Sequence, residues 1–142
     1  MQLRRIIVPL SGRSVDADVI RIAATLAKPS KAEIIAIHVI EVRWNLALDA
    51  VLDSETERGE ELLDKATTVA QKAGANIETE LLQARDAAAA IIDTARERQA
   101  DLIVLGMPYR KRLGRVYVGP TVEDVYKGAS CAVLAYRQEE VG

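Results

Sequence analysis

Phenylalanine is absent from this chain, tryptophan occurs once and tyrosine four times. Its core therefore cannot be organised around aromatic clusters and must be packed from Ala, Val, Ile and Leu, which favours thin, closely apposed layers. A single cysteine, Cys131, excludes an internal disulfide or a cysteine-based zinc site and suits a reducing compartment, so a cytoplasmic location is expected. Positive charge is not in excess. With 19 basic against 21 acidic residues, a formal charge of -2 and a pI near 5.5, a broad basic face for nucleic acid is excluded and any anion site must be local. Long apolar runs are also missing, and the amino-terminal "MQLRRIIVPLSG" reaches Gly and polar residues too soon for a signal or spanning helix. Direct membrane insertion is not expected.

The usual catalytic patterns are missing too. No serine lies in a Gly-x-Ser-x-Gly elbow. "GRVYVGPT" has the glycine spacing of a Walker loop but carries Pro120 where Lys is required, and no strand directly precedes Gly114. "SGRSVD" shares only Ser11 and Gly12 with the Ser-Gly-Gly-x-Asp-Ser loop of ATP pyrophosphatases, since Arg13, Val15 and Asp16 stand where Gly, Asp and Ser belong. His38, the lone histidine, lies near the end of an apolar strand and reads as a satisfied structural residue. Cys131 reads as a small hydrophobe at a strand's start. No positioned base is present, so the chain is expected not to be an enzyme, or at most a very slow ATPase.

What is present is alternation. The 142 residues, 49% hydrophobic, suffice for one domain over 1–142. Short apolar runs ("RIIVPL", "AEIIAIHVIE", "IETELLQ", "DLIVLG", "CAVLAYR") are separated by helical patterns. The first starts at Ser14 and stops before Pro29; the second has Ser54 as its candidate cap and Gly74 as its stop. The third begins near Asp86, and "TVEDVYKGA" is short. Five strands interleaved with four helices predict a parallel α/β sheet with helices on both faces, "IETELLQ" being a half-buried edge strand. "VRWNLALDAVLD", Val42 to Asp53, fits neither class. It reads either as a loop capping the sheet edge or as a lid or partner-docking surface, since it holds Trp44, Leu46, Leu48, Val51 and Leu52.

In open parallel sheets ligands bind beyond the carboxyl ends of strands, where the winding reverses. "VPLSGRS", "HVIE" and "GMPYRKRLGRVYVGPT" fall there. In the last, Gly106 follows an apolar strand, allowing a sharp turn and close ligand approach, and Gly119 precedes a helix whose free N–H groups suit an anion. The intervening Arg110, Lys111, Arg112 and Arg115 are either a solvated loop or the electrostatic side of that site.

"RIIVPLSG", "IIAIHVIE", "ADLIVLG" and "GASCAVLAYR", in this order and at this length, resemble the universal stress protein family across nearly the whole chain. The resemblance implies a five-stranded parallel sheet sandwiched by four helices, the Rossmannoid fold shared with the adenine nucleotide alpha hydrolases. It also implies a regulatory or sensor domain binding an adenine nucleotide, AMP or ATP, with magnesium only alongside ATP. Its ATP-binding members carry Gly-x2-Gly-x9-Gly followed by Ser or Thr, with an Asp ending the first strand. Mapped here, the implied site is Pro9, Ser11, Val39, Leu105, Gly106, Tyr109, Arg110, Gly119, Pro120, Thr121 and Val122. Three positions depart from the pattern. Tyr109 puts a bulky side chain in place of the second Gly, Pro120 removes an N–H and a hydroxyl, and Ser11 lacks the carboxylate. Each lost charge-assisted hydrogen bond costs about 1.5–3 kcal/mol, so two would weaken a triphosphate roughly 100-fold or more. The adenine side is less affected. The alternative is a dimeric interaction module without nucleotide, Tyr109 filling the pocket. Either way the family pattern implies a homodimer through the last strand, Cys131 to Arg137, and an unknown protein partner.

Overall fold

The computed structural model describes residues 2–109, 111–112, 114–116 and 118–139. Five strands, β1 (Arg5–Pro9), β2 (Glu33–Glu41), β3 (Ile77–Ala84), β4 (Leu102–Met107) and β7 (Ala132–Arg137), form one sheet in the order β3-β2-β1-β4-β7. Every pairing within it is parallel. The runs are apolar because both faces are covered. Along β1 and β2, Ile6, Val8, Ile34 and Ala36 face one layer, while Ile7, Ile35 and Ile37 face the other.

Helices α1 (Val15–Ala27) and α2 (Asp53–Lys72) cover the first face; α3 (Ala87–Glu97) and α4 (Pro120–Gly128) cover the second. Small residues let them lie close. Ala23, Ala27, Ala66 and Ala70 bury on the first face, and Ala88 and Ala95 on the second, so the layers are thin without aromatics. The second helix differs from expectation at its start: it begins at Asp53 with Leu52 at the cap position, and Ser54 lies inside it, accepting from Arg58 at 3.3 Å. Asp86 does cap α3, its carboxylate accepting from the Ala88 N–H at 3.2 Å. Gly74 ends α2 at φ +79, as its place after Ala73 predicts.

The segment after β4 holds a small antiparallel hairpin that the sequence reading missed, β5 (Lys111–Arg112) with β6 (Arg115–Val116). Gly114 makes its turn at φ +77. Two-residue strands have no periodicity to read. No helix among the described residues is long and apolar enough to cross a membrane.

Candidate functional site

The winding reverses between β1 and β4. From β1 the chain steps through β2 to β3 on one side, then returns to lay β4 and β7 on the other. β1 pairs with β4 only at Ile6 and Ile7, whereas β4 stays paired with β7 as far as Met107. Beyond Val8 the end of β1 leans towards β2 instead, with the Leu10 N–H donating to the Ile37 carbonyl at 2.8 Å. A crevice therefore opens between β1 and β4 at their carboxyl ends, where such sheets hold ligands.

This cleft encloses about 400 Å³ on the α3/α4 side. Of the residues assigned from sequence, Pro9, Ser11, Val39, Leu105, Gly106, Gly119, Pro120, Thr121 and Val122 line it together. Its apolar wall is Val39, Leu105 and Met107, extended by Ile91 from α3. Opposite stands the start of α4. Gly119 is the N-cap in extended backbone, Pro120 takes the first turn and the Gly119 carbonyl accepts from Glu123 N–H at 3.2 Å. Pro120 is stereochemically suited to that position, and the N–H groups of Thr121 and Val122 remain as donors without a partner inside the helix.

Three assignments change. Tyr109 is absent from the cleft lining, and its ring lies 4.8 Å under the Arg137 guanidinium. The aromatic ring attracts a cation from β7 and is drawn towards it, so it does not plug the pocket. Gly106 makes no sharp turn, since it is still within β4; a Cβ on it would meet Val19 Cγ1 at 2.8 Å and Val15 Cγ2 at 2.9 Å. Its lack of a side chain serves the packing of α1 against the sheet, while its backbone borders the cleft. The carboxylate missing at Ser11 is replaced from α1: Asp16 accepts from Ser11 N–H at 3.1 Å, Gly12 N–H at 2.8 Å and Ser11 Oγ at 3.4 Å. Burial pushes the Asp16 pKa up, partly opposed by the Ser11 and Gly12 hydrogen bonds and by nearby His38. Arg110 lies outside the described residues.

His38 is tied down as expected. Its Nδ1 lies 2.7 Å from the Leu10 carbonyl, and because a carbonyl only accepts, Nδ1 carries the proton. His38 also borders the cleft, as do Arg13 and Glu41, none of the three having been assigned as a site residue. Arg13 lies in "VPLSGRS", and His38 and Glu41 in "HVIE", two segments the sequence put at the ligand-binding ends of the strands. A second cleft, about 770 Å³, lies on the opposite face between the β1–α1 turn and α2. Asp16, Arg58 and Lys65 border it, and it shares Ser11, Arg13, His38, Val39 and Glu41 with the first. Among the described residues no group of three His, Cys, Asp or Glu is disposed to hold a metal ion.

A profile of the Universal stress protein family matches residues 2–137. The chain belongs to the universal stress protein family. It is 32% identical over 141 residues to the universal stress protein MJ0531 of Methanocaldococcus jannaschii, covering 95% of this chain and 82% of that protein. The structure of the universal stress protein from Archaeoglobus fulgidus in complex with dAMP superposes with a TM-score of 0.76 at 26% identity, over 95% of this chain and 98% of that one. A stretch of the Na(+)/H(+) antiporter NhaS5 of Synechocystis is 28% identical over 133 residues, 93% of this chain but 19% of the antiporter. The parallel five-stranded sheet and its two helical layers are thus those of the universal stress proteins, as the sequence pattern implied.

The segment Val42 to Leu52 contains neither helix nor strand, and two side chains, one from β3 and one from the turn after it, pin it. Arg85 donates to the carbonyls of Val42, Arg43 and Leu46, and Gln83 to those of Leu48 and Ala50. The Arg85 guanidinium also lies 5.0 Å from the Trp44 ring. Even so, Trp44 is 83% exposed and Val51 85% exposed. The loop borders the sheet's edge and leaves its large apolar side chains in water.

Proposed function

We propose that this universal stress protein domain is a regulatory sensor taking an adenine nucleotide in the cleft between β1 and β4. The observation that carries the reading is the open crevice at the winding reversal, with Tyr109 drawn out of it onto Arg137. Val39, Leu105, Met107 and Ile91 suit one face of a purine, and the Thr121 and Val122 N–H groups suit a phosphate. The Archaeoglobus relative held dAMP in its structure, which supports a nucleotide with one phosphate over ATP. Pro120 points the same way, because it withholds donors that a triphosphate would use. Magnesium would enter only with ATP. No catalytic role is assigned to any residue.

In the same reading residues 1–142 act as one domain, and two copies pair through β7. That strand is at the sheet's edge, and Val133, Leu134 and Tyr136 are only half-buried there. The exposed Trp44 loop would be the contact for a protein partner whose affinity the nucleotide alters.

Isothermal calorimetry with AMP, dAMP, ADP and ATP, with and without magnesium, tests the nucleotide reading. Saturable micromolar binding, strongest for the monophosphates, is expected. Absence of heat and of any thermal shift up to millimolar nucleotide would leave only the interaction module. Light scattering at tens of micromolar tests the dimer, and a monomer there sinks that part.

A further inference from the structure

The sequence concentrates its cations after β4, yet among the described residues the cation that lines the nucleotide cleft comes from the other wall. It is Arg13, in the turn between β1 and α1. That turn is held from three directions. Gly12 bends it at φ +86, Asp16 takes the Ser11 and Gly12 N–H groups, and Gln138 Nε2, just past β7, donates to Ser14 Oγ at 3.0 Å. The Arg13 side chain is left exposed, and it takes part in none of the ion pairs found among the described residues. The cluster thus presents, on a firmly held backbone, a guanidinium with no ionic partner among the described residues; it borders both clefts, and the lining of the first also contains the start of α4.

A guanidinium offers a planar fork of donors that matches phosphate oxygens two at a time. Thr121 and Val122 border the same cleft from the α4 side, where their N–H groups and the dipole of that helix suit an anion. Asp16 forms no ion pair with Arg13 among the described residues; its oxygens accept from the Ser11 and Gly12 amides.

We propose that Arg13 reads the 5′-phosphate of the bound nucleotide, so that the cleft takes a phosphorylated nucleoside and discriminates against the bare nucleoside. This rests on the nucleotide reading above. AMP and adenosine, titrated by calorimetry into the full chain and its Arg13→Ala, Arg13→Lys and Lys65→Ala variants, separate the two claims. Lys65 serves as the control because it lines only the second cleft.

With Arg13→Ala, AMP should weaken about tenfold or more while adenosine is unchanged. The Lys variant should recover part of the loss, since it returns the charge without the fork. Lys65→Ala should bind both ligands as wild type does. AMP affinity unmoved by Arg13→Ala, or lowered equally with adenosine, overturns the role of Arg13 and leaves the nucleotide reading standing. Neither ligand binding to the wild type at millimolar concentration overturns both.

Discussion

Substituting Gly106 by Ala separates a packing glycine from a ligand glycine. The added Cβ would lie 2.8 Å from Val19 Cγ1 and 2.9 and 3.2 Å from the two methyls of Val15. Both valines are stiff about χ1 and almost fully buried, at 0% and 1% exposure, so neither can swing aside. Relief requires α1 or β4 to move. Overpacking of this kind costs about 1–3 kcal/mol, offset by about 0.5–1 kcal/mol because Gly is itself unfavourable within a strand. The net expectation is a loss of roughly 1–2 kcal/mol. At about 2–4 °C per kcal/mol for a chain of this size, Tm falls by roughly 2–8 °C. Scanning calorimetry and urea titration should agree on that loss. Trimming the obstacle should expose the coupling, with Val19→Ala costing less in the Gly106→Ala background than in wild type by at least about 0.5 kcal/mol. Gly119→Ala is the contrast, because a Cβ there meets nothing within 4 Å and the backbone is extended. If Gly106→Ala kept the wild-type Tm and instead abolished nucleotide binding, the packing argument would be refuted.

Four further outcomes follow from the same geometry. Tyr109→Ala should change AMP affinity by no more than about 0.5 kcal/mol, as for a substitution outside the site; a tighter complex by calorimetry beyond that would mean the ring does occupy the cleft. Asp101→Ala should lower stability by about 1 kcal/mol, since Asp101 accepts from the Arg4 and Arg5 N–H groups at 2.7 and 3.0 Å near the surface. Those bonds hold the Asp101 pKa below its ordinary value of 3.8. The contribution should therefore be present above pH 3.8 and fade as pH falls through the lower folded value, which urea titrations of wild type and variant across acid pH will read. Asp16 has the opposite sign. Its folded pKa is raised, so measured against Asp16→Asn the wild type should lose stability as pH rises from 3.8 through that folded value. Arg85→Ala removes the donors to Val42, Arg43 and Leu46, and limited proteolysis should then cut within 43–52 faster with little change in global Tm.

Strand identities were legible because uninterrupted Ile and Val runs in a parallel sheet require cover on both faces, and Ile6, Ile7, Ile34 and Ile35 are indeed buried in alternate layers. Caps with a mechanism were legible too, such as Asp86 and Gly74. Ser54 misled because several polar residues open α2, and its start is set by where the pinned loop ends rather than by the best capping side chain. The hairpin at 111–116 gave no periodic signal, and which side of the cleft a cation reaches depends on turn geometry that no local pattern encodes.

The candidate site shows the same division at the level of single residues. Linear mapping placed nine of its residues in one cleft, because they sit at strand ends whose order the fold dictates. What mapping could not assign was the direction of each side chain. Gly106 occupies a motif position, but the alternation along β4 aims its missing Cβ at α1. Ser11 looks like a lost carboxylate until α1 turns and Asp16 reaches back to the same two amides from the opposite face. A carboxylate near the end of β1 is thus kept but lines the second cleft and not the first, whereas Arg13, two residues past Ser11, lines both. The first cleft is therefore bordered at this turn by Arg13 and not by Asp16. On the reading proposed above, an arginine two residues past the position of the family's aspartate favours phosphate contact over sugar contact.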